Sequence, residues 1–272
     1  MKKILLTNDD GFRRPGLWAL HEELKDLGEV TIVAPESEKS AVGMSITLHK
    51  PIRLRKYRIR GAVVYACSGT PSDCIIMAMR KLFDEPPDIV VSGINEGNNV
   101  SLQAVYGSGT VAAAIRASLM GVKATAFSLS LGEDGLISSE DLKKAMKIAA
   151  SKAKPIVEYI LTKGLPKGVD YFNVNFPHDI RPETPYMLTK TAVARYRELV
   201  EERIDPRRKP YYWLKGRLLE ELEPGTDAHA VFVEKAVAVS PMKTNTTSME
   251  TLNSNELAEF LNHLTDRGFK PV

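Results

Sequence analysis

Apolar and polar positions along this chain alternate between short strand-like runs and helical stripes. KILLT (residues 3–7) is a short apolar run that ends in polar residues, which predicts a buried strand. GLWALHEELKDLG follows with leucines at helical spacing, and EVTIVAP then repeats the strand pattern up to Pro35. This succession of strand, helix and strand predicts a βαβ unit of a parallel sheet.

The alternation continues to about residue 180. Residues 46–69 have the alternating pattern of a hairpin with Gly61 at its turn, inserted between the repeating units. PSDCIIMAMRKLF predicts a helix capped by Ser72, and GSGTVAAAIRASLMG and SSEDLKKAMKIAASKAKPIVEYILTKG predict two further helices. The remaining strands are predicted at PDIVVSGIN, KATAFSLS and VDYFNVNFP.

The regular pattern fades after Pro177. The segment that follows is rich in charge, proline and aromatic residues, HAVFVEKAVAVSPM predicts a returning strand, and a last helix is expected from near Ser254. We therefore predict an α/β fold with a doubly wound, mostly parallel sheet as a catalytic core over residues 1–180. Residues 181–272 are predicted to form a C-terminal extension.

Composition and charge exclude several classes of protein. The 272 residues are 43% hydrophobic and 26% charged, with a net charge of +3, so no stable nucleic-acid partner is expected. No apolar run approaches the ~20 residues of a membrane helix, and MKKILLTNDD becomes acidic too early for a signal peptide. We expect a cytoplasmic protein that does not associate with membranes.

The stretch TNDDG places two adjacent carboxylates, Asp9 and Asp10, directly after the first strand. In open parallel sheets, ligands bind beyond the carboxyl ends of the strands. The side chains expected to meet there are Asn8, Asp9, Asp10, Ser40 and Asn95. Two carboxylates with neutral oxygen donors suit a hard cation such as Mg²⁺, Mn²⁺ or Ca²⁺. The alternative interpretation is a polar turn in which one Asp caps the next helix.

A second constellation, YGSGTVAAAIRAS, places Ser108, Gly109 and Thr110 at the start of a helix of small residues. Free backbone N–H groups, the helix dipole and two hydroxyls there would bind an anion. The alternative is that Ser108 simply caps the helix. A cation held by carboxylates opposite such a helix terminus suits hydrolysis or transfer of a phosphate ester.

Several segments, in order over most of the chain, resemble the SurE (survival protein E) family of phosphatases. They are ILLTNDDG at 4–11, VAPESEKSAVG at 33–43, SGTPSDC at 68–74, VSGINEGNN at 91–99, YGSGTVAAA at 106–114, FNVNFP at 172–177, DPRRKPYYWL at 205–214 and GTDAHAV at 225–231. The segment EGNNVSLQAVY lacks the proline and the acidic residues frequent in the family, and Asn245 stands where an Asp is common. These departures leave substrate preference and assembly open.

The resemblance implies a Rossmann-like phosphomonoesterase that uses one divalent metal ion, Mg²⁺ or Mn²⁺, to hydrolyse nucleoside 5′- or 3′-monophosphates. It implies metal ligation by Asp9, Asp10, Ser40 and Asn95, with Asp9 and Asp10 catalytic, and phosphate binding by Asn8, Ser108, Gly109 and Thr110. It also implies a homodimer or homotetramer assembled through the extension. A nucleotide-binding regulatory module without turnover is the alternative.

The sequence leaves open the catalytic mechanism and the roles of two further segments. Asp9 would either orient and deprotonate the attacking water or form an aspartyl-phosphate. The basic run RLRKYRIR is either a solvated face or an attractor of anionic nucleotides and polyphosphate, and Tyr211, Tyr212 and Trp213 either stack on a base or pack between subunits.

Overall fold

The computed structural model describes residues 1–132, 137–252 and 254–266. The chain divides into two compact units, Met1–Met242 and Lys243–Val272. Within the described residues, no helix has both the length and the apolar character needed to cross a bilayer.

The described part of the larger unit contains a nine-stranded sheet and a separate two-stranded ribbon. The sheet comprises β1 (Lys3–Thr7), β2 (Glu29–Pro35), β3 (Leu54–Ile59), β4 (Ala62–Cys67), β5 (Ile89–Glu96), β6 (Ala124–Leu129), β7 (Tyr171–Phe176), β8 (Tyr186–Leu188) and β11 (Val237–Met242). The ribbon comprises β9 (Tyr196–Ile204) and β10 (Pro210–Leu218).

Helices cover both faces of this sheet. They are α1 (Pro15–Leu24), α2 (Pro71–Lys81), α3 (Ser101–Gly107), α4 (Gly109–Leu119), α5 (Ser139–Lys163) and α6 (Asp227–Phe232). In the smaller unit, α7 (Asn255–Asp266) forms where a final helix was predicted, and its Leu257 and Phe260 side chains are exposed.

The strand order is β3-β4-β2-β1-β5-β6-β7-β11-β8, and β1, β2, β4, β5, β6 and β7 pair in parallel. From β1 the chain moves outward to β2 and β4, then crosses back to β5 on the other side of β1. The topological switch point therefore lies between β1 and β5, where parallel α/β sheets bind ligands. The prediction of a Rossmann-like, doubly wound, mostly parallel sheet is confirmed.

Alternation along the strands directs side chains to two cores. Ile4 and Leu6 of β1 face the layer of α1 and α5, where Leu17, Leu20 and Met146 are buried. Leu5 faces the opposite layer of α2 and α4, with Ile75, Val111 and Ala114. Because α4 is rich in alanine, its backbone packs close to the sheet, which places its N-terminus beside the end of β1.

The inserted hairpin forms with β3 and β4 antiparallel, and β4 also pairs in parallel with β2.

Helix α2 is capped by Thr70, which accepts a hydrogen bond from the Asp73 N–H, so the prediction of Ser72 as the cap is wrong. Thr70 is the favoured cap because the Asp73 side chain accepts a hydrogen bond from the Thr70 N–H, which completes a capping box.

The segment after residue 180 is more regular than its sequence suggests. The first part of the predicted strand HAVFVEKAVAVSPM belongs to helix α6, and only the second part is strand β11. The N-cap of α6 is Thr226, whose side chain accepts a hydrogen bond from the His229 N–H. Strands β8 and β11 extend the main sheet beyond β7, whereas β9 and β10 pair only with each other. The division into a catalytic core and an extension at residue 180 stays a prediction about function.

Candidate active site

The switch point gathers loops from three strands and the start of α4. Asn8, Asp9 and Asp10 follow β1, Ser40 lies in the loop after β2, and Asn95 lies near the end of β5, where the register shifts between Ser92 and Asn95. A pocket of about 280 Å³ opens beside Asp9, Ser40 and Asn95, whereas Asn8 and Asp10 are not among the residues that line it. It is lined by Asp9, Ser40, Ala41, Asn95, Glu96, Asn99, Gln103, Ala104, Gly107 and Ser108.

Backbone hydrogen bonds hold these loops together. The Lys39 N–H donates to the Asp9 carbonyl at 2.8 Å, which fixes the Ser40 loop against the Asp9 loop. The Gly43 N–H donates to the Gly107 carbonyl at 2.8 Å, which joins the same loop to the residues before α4. The polar side chains of the pocket are therefore presented from a connected backbone framework.

Asp9 meets the N-terminus of α4 directly. Its side chain is buried, and its Oδ1 accepts a hydrogen bond from the Thr110 hydroxyl. A Cβ atom on Gly109 would lie 2.8 Å from Asp9 Cβ and 2.9 Å from Asp9 Oδ2. Only glycine allows the carboxylate and the helix terminus to approach this closely.

Burial raises the pKa of both carboxyls. Burial raises the pKa of Asp9, and the Thr110 hydrogen bond opposes that rise. Burial, followed by the negative charge of Asp9, raises the pKa of Asp10 to about 7, against the hydrogen bond that the Glu96 N–H donates to Asp10 Oδ2 at 3.1 Å. Neither Asp caps α1, whose N-cap Arg14 has no side-chain cap hydrogen bond.

The remaining predicted metal ligands present neutral oxygens. Asn95 donates its Nδ2–H to the Gly97 carbonyl at 2.8 Å, which leaves Oδ1 as its free acceptor among the described residues. Ser40 donates its hydroxyl to Glu38 Oε1 at 2.6 Å, so its oxygen lone pairs stay available to a cation. Two carboxylates that repel each other and two neutral oxygens fit a hard divalent cation.

No group of three or more His, Cys, Asp or Glu side chains in the described part of the chain could hold a metal. A cation at this pocket would therefore complete its coordination with neutral oxygens and water, as magnesium sites do.

The predicted phosphate-binding residues divide into two kinds. Ser108 Oγ accepts from the Val111 N–H at 3.1 Å, so Ser108 caps α4, and its hydroxyl proton stays available for an anion. Thr110 donates its hydroxyl to Asp9. Asn8 donates to the Gly11 carbonyl at 3.0 Å and accepts from the Gly11 N–H at 3.2 Å, so its side chain shapes the turn that carries Asp9 and Asp10.

An asparagine network that sequence reasoning missed supports the far wall of the pocket. Asn99 donates its backbone N–H to Asn175 Oδ1 at 2.7 Å and its side chain to Ser128 Oγ at 2.8 Å, and its carbonyl accepts from Asn173 Nδ2 at 2.9 Å. The sequence feature that could have indicated this network is FNVNFP, in which two asparagines interrupt an apolar strand. Polar residues in a buried strand require partners, and Asn99 is that partner.

A bidentate ion pair, also missed, borders the pocket. Arg14 donates Nε–H to Glu96 Oε1 at 2.9 Å and a second N–H to Glu96 Oε2, and the Glu96 side chain is 8% exposed. The pair spans the switch point from the β1 loop to the end of β5. It also neutralises the third carboxylate near Asp10.

Fold and site together define a Rossmann-like α/β protein with a carboxylate-bearing cleft at its topological switch point, closed on one side by a helix N-terminus. The family described as survival protein SurE matches residues 4–198 of this chain. A curated relative from Methanocella arvoryzae, named 5′-nucleotidase SurE, is 41% identical, with 91% of this chain and 94% of that protein covered. A relative of the same name from Hyperthermus butylicus is 43% identical, with 89% and 85% covered.

A solved structure shows the same relationship. The crystal structure of the SurE protein from Aquifex aeolicus is 34% identical and superposes with a TM-score of 0.78, covering 94% of this chain and 99% of that one. The chain belongs to the SurE family, and the resemblance drawn from its motifs is confirmed.

Proposed function

We propose that this chain hydrolyses nucleoside 5′- and 3′-monophosphates to nucleoside and phosphate, with one divalent cation, Mg²⁺ or Mn²⁺, held by Asp9, Asp10, Ser40 and Asn95. The chain is a phosphoric monoester hydrolase, as its curated 5′-nucleotidase relatives are. The observation that carries the finer proposal is the contact between Asp9 and the N-terminus of α4.

The groups of the cleft have separate tasks in this proposal. When bound, the divalent cation supplies Lewis-acid polarisation of a phosphoryl oxygen. The Ser108 hydroxyl and the backbone N–H groups that begin α4 bind the other phosphoryl oxygens, because a helix N-terminus favours negative charge. Asn8 contributes by fixing the turn that carries the two carboxylates.

Asp9 is the group that we assign to the attacking water. A carboxylate of raised pKa is a stronger proton acceptor than an ordinary one, and Thr110 fixes its orientation through Oδ1. The water oxygen attacks phosphorus, its proton passes to Asp9, and the ester P–O bond breaks as the nucleoside alkoxide takes a proton from solvent. The covalent alternative would leave phosphate on Asp9, which rapid quenching and mass spectrometry would detect.

The test measures phosphate release from AMP, 3′-AMP and p-nitrophenyl phosphate by EDTA-treated protein, with and without Mg²⁺ or Mn²⁺. We expect turnover only with metal, and we expect Asp10→Asn to lower it by orders of magnitude while the circular dichroism spectrum stays unchanged. Full activity after EDTA treatment would remove the metal from the proposal. Nucleotide binding without turnover in any metal would instead favour a regulatory module.

We further propose a homodimer or homotetramer assembled through residues beyond 180. The ribbon of β9 and β10 supports this proposal because it exposes apolar side chains on a surface outside the main sheet. Subunit packing also accounts for the exposed Tyr211, Tyr212 and Trp213 better than base stacking does, since the ribbon residues are absent from the lining of the catalytic pocket.

A further inference from the structure

A second cavity, of about 540 Å³, lies away from the catalytic pocket. It is formed by α1, the start of α5 and the turn between β3 and β4. Its lining residues are Pro15, Trp18, Ala19, Glu22, Glu23, Arg60, Lys143 and Lys147, none of which lines the catalytic pocket. A cavity of this size accommodates a small metabolite.

The cavity lining carries more positive than negative side chains. Glu22 is paired with Lys25 at 2.7 Å, whereas Glu23 lies 3.9 Å from Lys154, a lysine that pairs more closely with Asp26 at 3.1 Å. No carboxylate of the described residues pairs with Lys143 or Lys147, which lie four residues apart and therefore on one face of α5. The lining therefore presents three cations, Arg60, Lys143 and Lys147, against the two carboxylates of Glu22 and Glu23, which leaves a positive balance.

Arg60 is held in place at the cavity rim. It occupies the hairpin turn with φ of 50°, followed by Gly61 with φ of 81°, the conformation that tight hairpins usually assign to Asn-Gly. Its guanidinium lies 5.1 Å from the centroid of the Trp18 ring, and Trp18 Nε1–H donates to the Phe12 carbonyl at 3.0 Å. The Arg60 side chain is exposed, and its contact with the face of the buried Trp18 ring stabilises its position at the rim.

We propose that this cavity is a second anion site that binds an oligophosphate, either inorganic or as the phosphate chain of a nucleoside triphosphate. Three cations around one cavity match several linked phosphates better than a single one, since each phosphate can meet its own cation. The site is separate from the catalytic cleft and binds without divalent metal.

Trp18 provides a direct readout. The chain contains two tryptophans, so Trp213→Phe leaves Trp18 as the only indole reporter. We would titrate EDTA-treated W213F protein with inorganic triphosphate, orthophosphate and ATP, and follow Trp18 fluorescence. Removing metal prevents turnover during the titration. A saturable change is expected, with triphosphate binding at least about tenfold more tightly than orthophosphate.

Matched variants locate the signal. In the W213F background, Lys143→Gln with Lys147→Gln should weaken triphosphate binding by about tenfold or more. Lys163→Gln with Lys167→Gln, which removes one exposed lysine at the last residue of α5 and one in the turn that follows the helix, should leave it unchanged. Ser108→Ala, which removes the hydroxyl proposed to bind phosphate in the catalytic cleft, should also leave it unchanged. Melting temperatures of all variants confirm that each is folded.

Defined outcomes would overturn the proposal. An absent fluorescence change, equal affinity for orthophosphate and triphosphate, or an unaffected K143Q/K147Q variant would each contradict it. Loss of the signal in Ser108→Ala would assign it to the catalytic cleft. ATP binding more tightly than triphosphate would identify a nucleoside triphosphate as the ligand, and equal binding would identify the phosphate chain alone.

Discussion

At the scale of single residues, adjacent Asp9 and Asp10 are distinguished by their partners. Asp9 receives the Thr110 hydroxyl and Asp10 receives the Glu96 N–H, yet burial raises the pKa of both carboxyls. A buried carboxylate and a half-buried neighbour destabilise each other when both are charged, and a bound cation reverses that penalty. The cost of placing them side by side is thus consistent with a site that is completed by metal.

Thr110→Val tests the role of the Thr110 hydroxyl in holding Asp9. Valine keeps the shape of threonine but cannot donate to Asp9 Oδ1, so one hydrogen bond to a charged group is lost. We expect kcat/KM to fall about tenfold to a hundredfold and the pKa of Asp9 to rise further, which moves the acidic limb of the pH–rate profile upward. Thr110→Ser, which keeps the hydroxyl, should restore most activity. A T110V enzyme with the wild-type pH profile would contradict this role.

The stability of metal-free protein should depend on pH through Asp10. The pKa of this carboxyl is about 7 in the folded protein against an ordinary 3.8, so the folded state binds more protons between these values. Stability therefore decreases as pH rises through this window. Mn²⁺ competes with the proton for the Asp10 carboxylate. The increase in melting temperature that Mn²⁺ produces should therefore be larger near pH 8 than near pH 5. Scanning calorimetry with EDTA or with Mn²⁺ measures the melting temperature in each state as a function of pH. Asp10→Asn should weaken the pH dependence of the metal-free stability and of the stabilisation by Mn²⁺.

At the scale of elements, the sequence predicts the strands and helices that pack on both sides of the core. Their apolar periodicity is imposed by burial within this chain, as in β1 and α5. The strands β9 and β10 were missed because they pair only with each other and most of their side chains are exposed, so no internal core sets their pattern. Helix α3 was missed because its N-cap, Val100, offers no capping side chain.

The same reasoning limits prediction of the site. The positions of Asp9, Ser40 and Asn95 follow from strand ends and the switch point, and the structure brings all three to one pocket. The contact of Asn99 with Asn175 joins residues 76 positions apart. Such a contact depends on the packing of one loop over β6 and β7, which local spacing does not specify.

Gly109→Ala tests the close approach of α4 to Asp9. The added Cβ would lie 2.8 Å from Asp9 Cβ and 3.1 Å from the Lys39 carbonyl oxygen, so the carboxylate or the helix must move. We expect a loss of activity of about a hundredfold or more, because misplacing a reacting group by about an ångström has that effect. Gly107→Ala is the matched control, since its Cβ would meet no atom within 4 Å. Equal activity of the two variants would show that the approach is unimportant for catalysis.

At the scale of the whole molecule, the ribbon of β9 and β10 presents two different faces. Val200 pairs with Leu214 and Glu202 with Tyr212 on one face, where Leu214 is 86% exposed and Val200 64% exposed. The other face carries the exposed rings of Tyr211 and Trp213 beside the ion pairs that Glu201 forms with Arg203 and Lys215. A two-stranded ribbon is marginally stable alone in water, so a partner against the apolar face would stabilise it.

Leu214→Glu tests whether this face holds subunits together. A buried carboxylate without a partner is strongly unfavourable, so the variant should shift the proposed dimer or tetramer toward a smaller species in light scattering at matched concentration. Arg217→Glu changes a charge on the opposite face of the same strand and should leave the oligomer unchanged. Because the ribbon residues do not line the catalytic pocket, activity per folded chain should persist in Leu214→Glu if the subunits act independently. An unchanged mass for Leu214→Glu would exclude this face as the interface, and the ribbon would then need another explanation for its exposed apolar residues.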